Sequence, residues 1–486
     1  MFCIIFENGL WCLGPQIYFL YILLFHHRET NNGPWNKADV LSLNRGELSD
    51  EDLYLKSVVL HQYLFGYELP DTLILLSQTG YCYILATKKK CEFLGAAVGN
   101  APSGSKIKDV TLLVRKKEDG NSENYDQLLA EIQKCEIGAG EEGENDDSNS
   151  KKVKIGIFKK EWEVNGERKN PIVSGWQKRL DGVSDTMETV DIGPGVGYVM
   201  SVKDETELDL MKKSSVLSNK LLKHGFIARL EEIIDSELSV THEELSAEID
   251  AMIEDPSKIK LKVPKDDVQS SYYPIVQSGG EYDLKLSTQA NKKKLRYDII
   301  TVSFGARYHM YCSNISRTFL VDAPKAVSDN YEILLAVQES CLACMQPGKP
   351  LKSVHAAAIS KLKSENREDL TRKLPKNMGF SIGMDFREGA LLLSAKNPAL
   401  FRPGMVFNLT VGFSNIQLTS KDKISINRKS AVGFVHRPTS IQRYLTILAV
   451  YIFSFYFTTK YYFHPFLSLL NSPTLWFLFL VSVKIR

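Results

Sequence analysis

The stretch from residue 297 to 322, YDIITVSFGARYHMYCSNISRTFLVD, decides how the chain folds. It reads as two β-strands joined by a tight turn. Ile299, Ile300 and Val302 are β-branched ahead of Gly305-Ala306, and Phe319-Leu320-Val321 resume the apolar run afterwards.

Working outward, Asp204 is an N-cap for a long helix running to about Glu237, with acids stacked in its first turn. Thr241-His-Glu-Glu244 is a capping box opening a helix over Leu245–Ile253. Strands are predicted at Ile259-Lys-Leu-Lys-Val263 and from Tyr272 through Pro274 to Gly280. Downstream of the opening stretch, a helix over Ser328–Met345 is stopped by Pro347-Gly-Lys-Pro350, and an alanine-rich helix spans Leu351–Ser364. Strands return at Met378–Phe386 and Gly404–Phe413. Long helices alternating with antiparallel strand pairs imply an α+β domain with helices covering one face of the sheet.

Upstream, residues 36 to about 200 read as a smaller α/β lobe. A helix begins at the capping candidate Ser49, with Leu53, Leu55, Val58, Val59, Tyr63 and Leu64 at helical spacing. Strands follow at Thr72–Leu76, Gly80–Leu85, Val110–Val114 and Val153–Phe158, with a helix over Tyr125–Lys134. The acidic run from Gly138 to Ser150 has too few apolar residues to pack, so it reads as a solvated loop.

The chain has 486 residues, enough for two or three domains, and a net charge of +2 that marks neither a nucleic-acid binder nor a polyanion mimic. Its eight scattered cysteines favour a reducing compartment over a disulfide scaffold. Cys341 and Cys344 have a suggestive spacing, but they lie inside a helical pattern with no second pair to complete a zinc site. The ends differ from the middle. Residues 1–35 form an apolar extension, and residues 416–486 a basic, then apolar tail in which Asp422 is the only acid. Neither end has the length and continuity of a membrane span, since Tyr444–Phe457 is short and the stretch 461–483 is broken by Pro465, Asn471 and Pro473. Two readings stay open there: tail-anchoring helices, or translated non-coding sequence from a faulty gene model.

Between residues 36 and 415 the chain resembles the N-terminal region of the large subunit of FACT, a nuclear histone chaperone that reorganises nucleosomes. The resemblance is carried by Tyr273-Pro-Ile-Val-Gln-Ser-Gly-Gly280, Phe304-Gly-Ala-Arg-Tyr308, Tyr311-Cys-Ser-Asn-Ile-Ser-Arg-Thr-Phe319, Gly383-Met-Asp-Phe-Arg-Glu388 and Arg402-Pro-Gly-Met-Val-Phe-Asn408. It implies an α+β pita-bread lobe of the creatinase/aminopeptidase P type over 201–415, preceded by the α/β lobe over 36–200. Peptidases of that architecture use two divalent ions held by carboxylates and a histidine. At the corresponding positions this chain has Ser303 and Asn314 for the aspartates, Phe380 for the ligand histidine, Thr410 for the first glutamate and Arg387 for the substrate histidine. The final glutamate has no counterpart, because Glu388 is the last glutamate in the chain. Neutral serine, asparagine and threonine oxygens are weak ligands, so two adjacent cations would lose hydration for little return.

The expectation is therefore a non-enzymatic pseudo-peptidase with no cofactor, no metal site and no small-molecule substrate. Asn314 and Arg387 are its peptide-binding candidates, Arg387 offering a planar fork to a carboxylate or carbonyl. The resemblance implies histones and nucleosomes, the small HMG-type FACT subunit and replication or transcription proteins as partners. It likewise implies the nucleus and chromosome as location, and transcription, replication and repair as context. The basic run Lys292-Lys-Lys-Leu-Arg296 reads as a solvated loop, with histone-tail or DNA contact as the sharper alternative. Two other functions compete: a metal-dependent aminopeptidase or prolidase, and a membrane-anchored protein. A sheet lacking its closing strand after Phe413 would also leave an unpaired edge.

Overall fold

A computed structural model describes residues 35–47, 53–66, 68–98, 109–116, 118–137, 152–167, 170–280, 282–283, 285–297, 299–321, 323–417 and 444–454. Two compact units divide the chain, Met1–Met200 and Ser201–Arg486.

The first unit is built on six strands: β1 (Val40–Arg45), β2 (Thr72–Ser77), β3 (Tyr81–Ala86), β4 (Asp109–Val114), β5 (Val153–Ile157) and β6 (Met187–Asp191). They form one mixed sheet in the order β4-β3-β2-β1-β5-β6. The meander β1-β2-β3 is antiparallel, whereas β4, β5 and β6 join in parallel through helical crossovers. Both β1 and β2 are buried along their whole length, which explains why their apolar runs barely alternate. The helices are α1 (Lys56–Phe65), α2 (Lys88–Val98), α3 (Ser122–Ile137), α4 (Lys159–Glu167), α5 (Pro171–Asp181) and α6 (Gly193–Met200). The first begins later than its sequence suggests: Leu55 is its N-cap and makes no side-chain bond. Ser49 lies outside the described residues, as does the acidic run from 138 to 150.

In the second unit, α7 (Glu205–Lys220) opens with the expected capping box of Asp204 and Glu207. The single long helix of the sequence reading is interrupted. A π-helical segment, Leu221–Ile227, separates α7 from α8 (Ala228–Asp235). Thr241 and Glu244 form the second capping box, at the start of α9 (His242–Glu254). The sheet beneath consists of β7 (Val268–Ser278), β8 (Ile299–Tyr308), β9 (Tyr311–Cys312) and β10 (Ile315–Leu320), ordered β10-β8-β7 with β9 paired to β8. Phe226, Leu230, Ile249, Ile300, Val302, Phe304 and Phe319 bury one core between these helices and strands.

The second half repeats the plan with α10 (Lys325–Cys344), α11 (Ser353–Ser364), β11 (Asn377–Ser381), β12 (Glu388–Ser394), β13 (Val406–Gln417) and β14 (Tyr444–Ser454). Its sheet runs β12-β11-β13-β14, and Leu334, Val354, Met378, Leu393, Phe407 and Phe413 belong to a second core.

Four further sequence expectations are corrected. The opening hairpin turns at His309-Met310, both at positive φ (43° and 72°), which is the backbone of a two-residue hairpin loop. Gly305 lies inside β8, where a Cβ would sit 1.9 Å from the Ser313 carbonyl oxygen. Residues 259–263 are not a strand; a 3-10 turn, Pro256–Ile259, leads into an irregular stretch. The strand expected over 378–386 splits, β11 ending at Ser381 and β12 beginning at Glu388. The expected bare edge is also absent, because β14 pairs antiparallel with β13 from Val406↔Ser454 to Gln417↔Tyr444. Among the described residues no helix is long and apolar enough to cross a membrane, and Tyr444–Ser454 is a strand. Residues 1–34, 418–443 and 455–486 lie outside the described residues.

Candidate functional site

Strand alternation assembles the site. Ser303 in β8 is paired with Ile275 on one side and Ser316 on the other, and Tyr272 is paired with Gly305 two residues along. Residues two apart share a face of a strand, so Tyr272, Ser303, Asn314 and Ser316 converge. The Tyr272 hydroxyl lies 2.5 Å from Ser303 Oγ and donates to Asn314 Oδ1 at 2.5 Å. Ser303 Oγ lies 2.5 Å from Ser316 Oγ. Because the single phenolic proton goes to the amide oxygen, Ser303 donates to Tyr272 and Ser316 donates to Ser303, an ordered chain of hydroxyls. Burial pushes the Tyr272 phenol upward from its ordinary range, so the group stays protonated and able to donate. The Asn314 Nδ2 donor is buried without a partner.

An aromatic cluster closes the other side. The Tyr272 ring lies 5.1 Å from Phe386, and Phe386 lies 5.5 Å from Phe380, both pairs tilted. Arg387, exposed, holds its guanidinium carbon 5.7 Å from the centroid of Phe380. Thr410 reaches the group through Asn408: Asn408 Nδ2 donates to Thr410 Oγ1 at 3.3 Å, and Asn408 pairs with Phe380 in register. The structure thus brings Ser303 and Asn314 into one hydrogen-bonded group and joins Phe380 and Arg387 to it through Phe386. Thr410 stands at its margin.

The members that sequence reading missed are Tyr272, Ser316 and Phe386. Strand register places the first two, Ser316 opposite Ser303 and Tyr272 opposite Gly305, and register is not legible in the sequence. Phe386 was not legible either, because the chain between Ser381 and Glu388 leaves the strand. Nor was His242 anticipated. Its ring bonds Asn291 Oδ1 at 2.8 Å and Ser278 Oγ at 2.7 Å, pinning the start of α9 to the end of β7. The same contact orders the basic run: Leu295 N donates to the Val240 carbonyl, His242 N to that of Lys293 and Glu243 N to that of Asn291. Lys292, Lys293 and Lys294 are exposed on this anchored loop.

The chemistry open to the site is narrow. No carboxylate stands among its members, and among the described residues no three His, Cys, Asp or Glu side chains gather as a metal cage would require. Cys341 and Cys344, at the end of α10, are free thiols; burial pushes Cys341 up to about 12, far from a reactive thiolate.

Fold and site together define a peptidase-like domain of the pita-bread type with hydroxyl, amide and aromatic groups gathered around Tyr272. Residues 209–436 match the model of metallopeptidase family M24, and residues 20–195 match that of the N-terminal lobe domain of FACT complex subunit SPT16. The FACT complex subunit SPT16 of Arabidopsis thaliana is 33% identical over 408 residues, covering 83% of this chain and 36% of the relative. The solved N-terminal domain of FACT complex subunit SPT16 from chickpea (Cicer arietinum) superposes with a TM-score of 0.75 at 27% identity, covering 90% of this chain and 93% of that one. A prolidase from Thermococcus sibiricus shares the fold alone, with a TM-score of 0.56 at 16% identity over 90% of this chain and 93% of the prolidase. The chain carries an SPT16-type N-terminal lobe followed by an M24 peptidase-like domain. It spans about a third of the length of the curated relatives it matches.

Proposed function

We propose that this chain is a non-catalytic histone-binding module of a FACT complex, acting on nucleosomes in the nucleus during transcription, replication and repair. The observation that carries this reading is the Tyr272–Ser303–Asn314–Ser316 group, a set of neutral hydroxyl and amide groups where the resemblance to M24 peptidases would call for metal-binding carboxylates. The likeness to SPT16 subunits supplies the class of partner. In this reading residues 36–200 and 201–415 are the two working lobes, and 1–35 and 416–486 are divergent ends. The small HMG-type subunit binds through regions beyond the matched part. Arg387 and Asn314 receive a peptide segment: the guanidinium over Phe380 offers paired donors to a carboxylate or carbonyl, and Asn314 Nδ2 is a buried donor with no internal partner.

The test is direct. The full chain is titrated with core histones by calorimetry, and its metal content and Xaa-Pro peptide turnover are measured on the same preparation. Saturable histone binding, weakened about tenfold or more by Arg387→Ala, with no bound transition metal and no turnover, is the expected result. Stoichiometric manganese, zinc or cobalt accompanied by peptide cleavage would overturn it in favour of a prolidase.

A further inference from the structure

Apart from the Tyr272 group, a second set of side chains stands in a fixed order. His242 opens α9, Ser278 closes β7, and Asn291 lies in the connection from β7 to β8. His242 Nε2 lies 2.7 Å from Ser278 Oγ, and His242 Nδ1 lies 2.8 Å from Asn291 Oδ1. Main-chain bonds hold all three in place. His242 N donates to the Lys293 carbonyl and Glu243 N to that of Asn291, both at 3.0 Å, and Leu295 N donates to that of Val240 at 2.8 Å.

The neighbours fix where the protons sit. Lys293 N donates to Asn291 Oδ1 at 3.0 Å, which marks that atom as the amide oxygen. An oxygen that only accepts takes the proton of His242 Nδ1, so in the neutral imidazole Nε2 is the bare nitrogen. Arg296 N donates to Ser278 Oγ at 2.8 Å, leaving the hydroxyl proton for His242 Nε2. A hydroxyl donating to an imidazole whose far nitrogen is held by a fixed acceptor is the arrangement that activates a nucleophile. The Arg296 amide also faces the charge that gathers on Oγ as its proton departs. Ser278 is 6% exposed, and Gly279-Gly280 follow it, half-buried and at positive φ (79° and 96°), so the chain just beyond the hydroxyl carries no side chain. Gly279 makes room for Arg296 as well: a Cβ there would sit 2.7 Å from Arg296 Cδ.

We propose that Ser278 is an acyl acceptor, a nucleophilic serine that takes one acyl group per chain from an activated ester. Ser278 Oγ forms a bond to the ester carbonyl carbon while its proton passes to His242 Nε2. The bond from that carbon to the leaving oxygen or sulfur then breaks, and the proton moves from Nε2 onto the leaving group. Asn291 does not touch the acyl group. It is a positioning residue, holding the imidazole with Nε2 toward the hydroxyl. Its amide is neutral and stabilises an imidazolium less than a carboxylate would, so the acyl donor needs a good leaving group: a thioester or aryl ester, and not an amide. The set shares no residue with the Tyr272 group, and the inference does not rest on histone binding.

The full chain is treated with a fluorophosphonate probe and, separately, with p-nitrophenyl acetate, and the modified residue is located by mass spectrometry after digestion. A single label at Ser278 is expected, with one equivalent of nitrophenolate released as the serine is acetylated. Ser278→Ala removes that label, and His242→Gln slows it by about a hundredfold or more. Asn291→Ala slows it by about tenfold or more. Asn291→Asp labels at least as fast as the wild type, because a carboxylate holds the same proton and stabilises the imidazolium better. Urea denaturation of each variant confirms that the folded chain is being compared, and the faster aspartate variant separates a base-assisted serine from one that only ties α9 to β7. A folded wild-type chain that takes no label at Ser278, or equal rates in the wild type, Asn291→Ala and Asn291→Asp, overturns the proposal. So does acetylation confined to lysines.

Discussion

At the scale of single residues, the site is decided by what the side chains can tolerate. Ser303 is 7% and Asn314 3% exposed, and each is held by the Tyr272 hydroxyl at hydrogen-bond distance. Replacing them by aspartate would supply two carboxylates without the rest of a metal cage. The double variant Ser303→Asp, Asn314→Asp would bury two like charges with no histidine or glutamate to complete a cage. It is expected to lose roughly 3–5 kcal/mol of stability in urea denaturation, without taking up manganese in a dialysis assay. Full stability together with stoichiometric metal would show that the site is merely lacking two carboxylates. The motifs around Ser303 and Asn314 single them out as candidates. The hydroxyl chain that joins them was not legible, because it depends on Tyr272 and Ser316 standing in register with β8, and register is a property of paired strands.

At the scale of elements, the hairpin β8-β9-β10 is organised by a glycine whose role the sequence obscured. The apolar pattern placed strands correctly on both sides of it, yet Gly305 resembles a turn residue. Its place is inside β8, where the backbone of Ser313 and Asn314 crosses too closely for any side chain, with Asn314 Cα 3.2 Å from the position of a Cβ. The turn falls at His309-Met310, which no glycine marks. Gly305→Ala is therefore expected to cost roughly 4 kcal/mol or more, read as a lowered denaturation midpoint. A loss below about 1 kcal/mol would mean that β8 and β9 can separate at no cost. The lysine stretch 258–265 has a related lesson. Its alternation predicts a strand, and the alternation is real, but it packs Ile259, Leu261 and Val263 on the core in an irregular segment instead of pairing with a strand.

At the scale of the whole molecule, the two units have separate hydrophobic cores and should respond separately to acid. His61 in α1 is fully buried. Burial, reinforced by the Arg45 guanidinium, lowers its pKa from 6.5 to about 3. With the folded value below the unfolded one, the unfolded chain binds the proton more readily. Stability of the first unit is thus fully present above about pH 6.5 and falls as the pH drops toward 3. Calorimetry at pH 7 and pH 4.5 should show the melting transition of the first unit moving down relative to that of the second. His61→Leu should remove most of this difference; an equal shift in the variant would assign the effect to other groups. The class of fold was legible from the alternation of helices and strands together with the motifs between residues 273 and 408. The pairing of β14 with β13 was not, because an apolar run of Tyr444–Ser454 looks the same as a strand, a buried helix or an anchor until a neighbour is present.

The Tyr272–Phe386–Phe380 plug has a consequence for the history open to this chain. A metal centre needs several carboxylates at once, and each one introduced alone would meet a protonated phenol and two phenyl rings instead of a cation. Under the proposed reading each such substitution lowers stability before any cation could be held, so no single acidic change assembles a metal centre behind these rings.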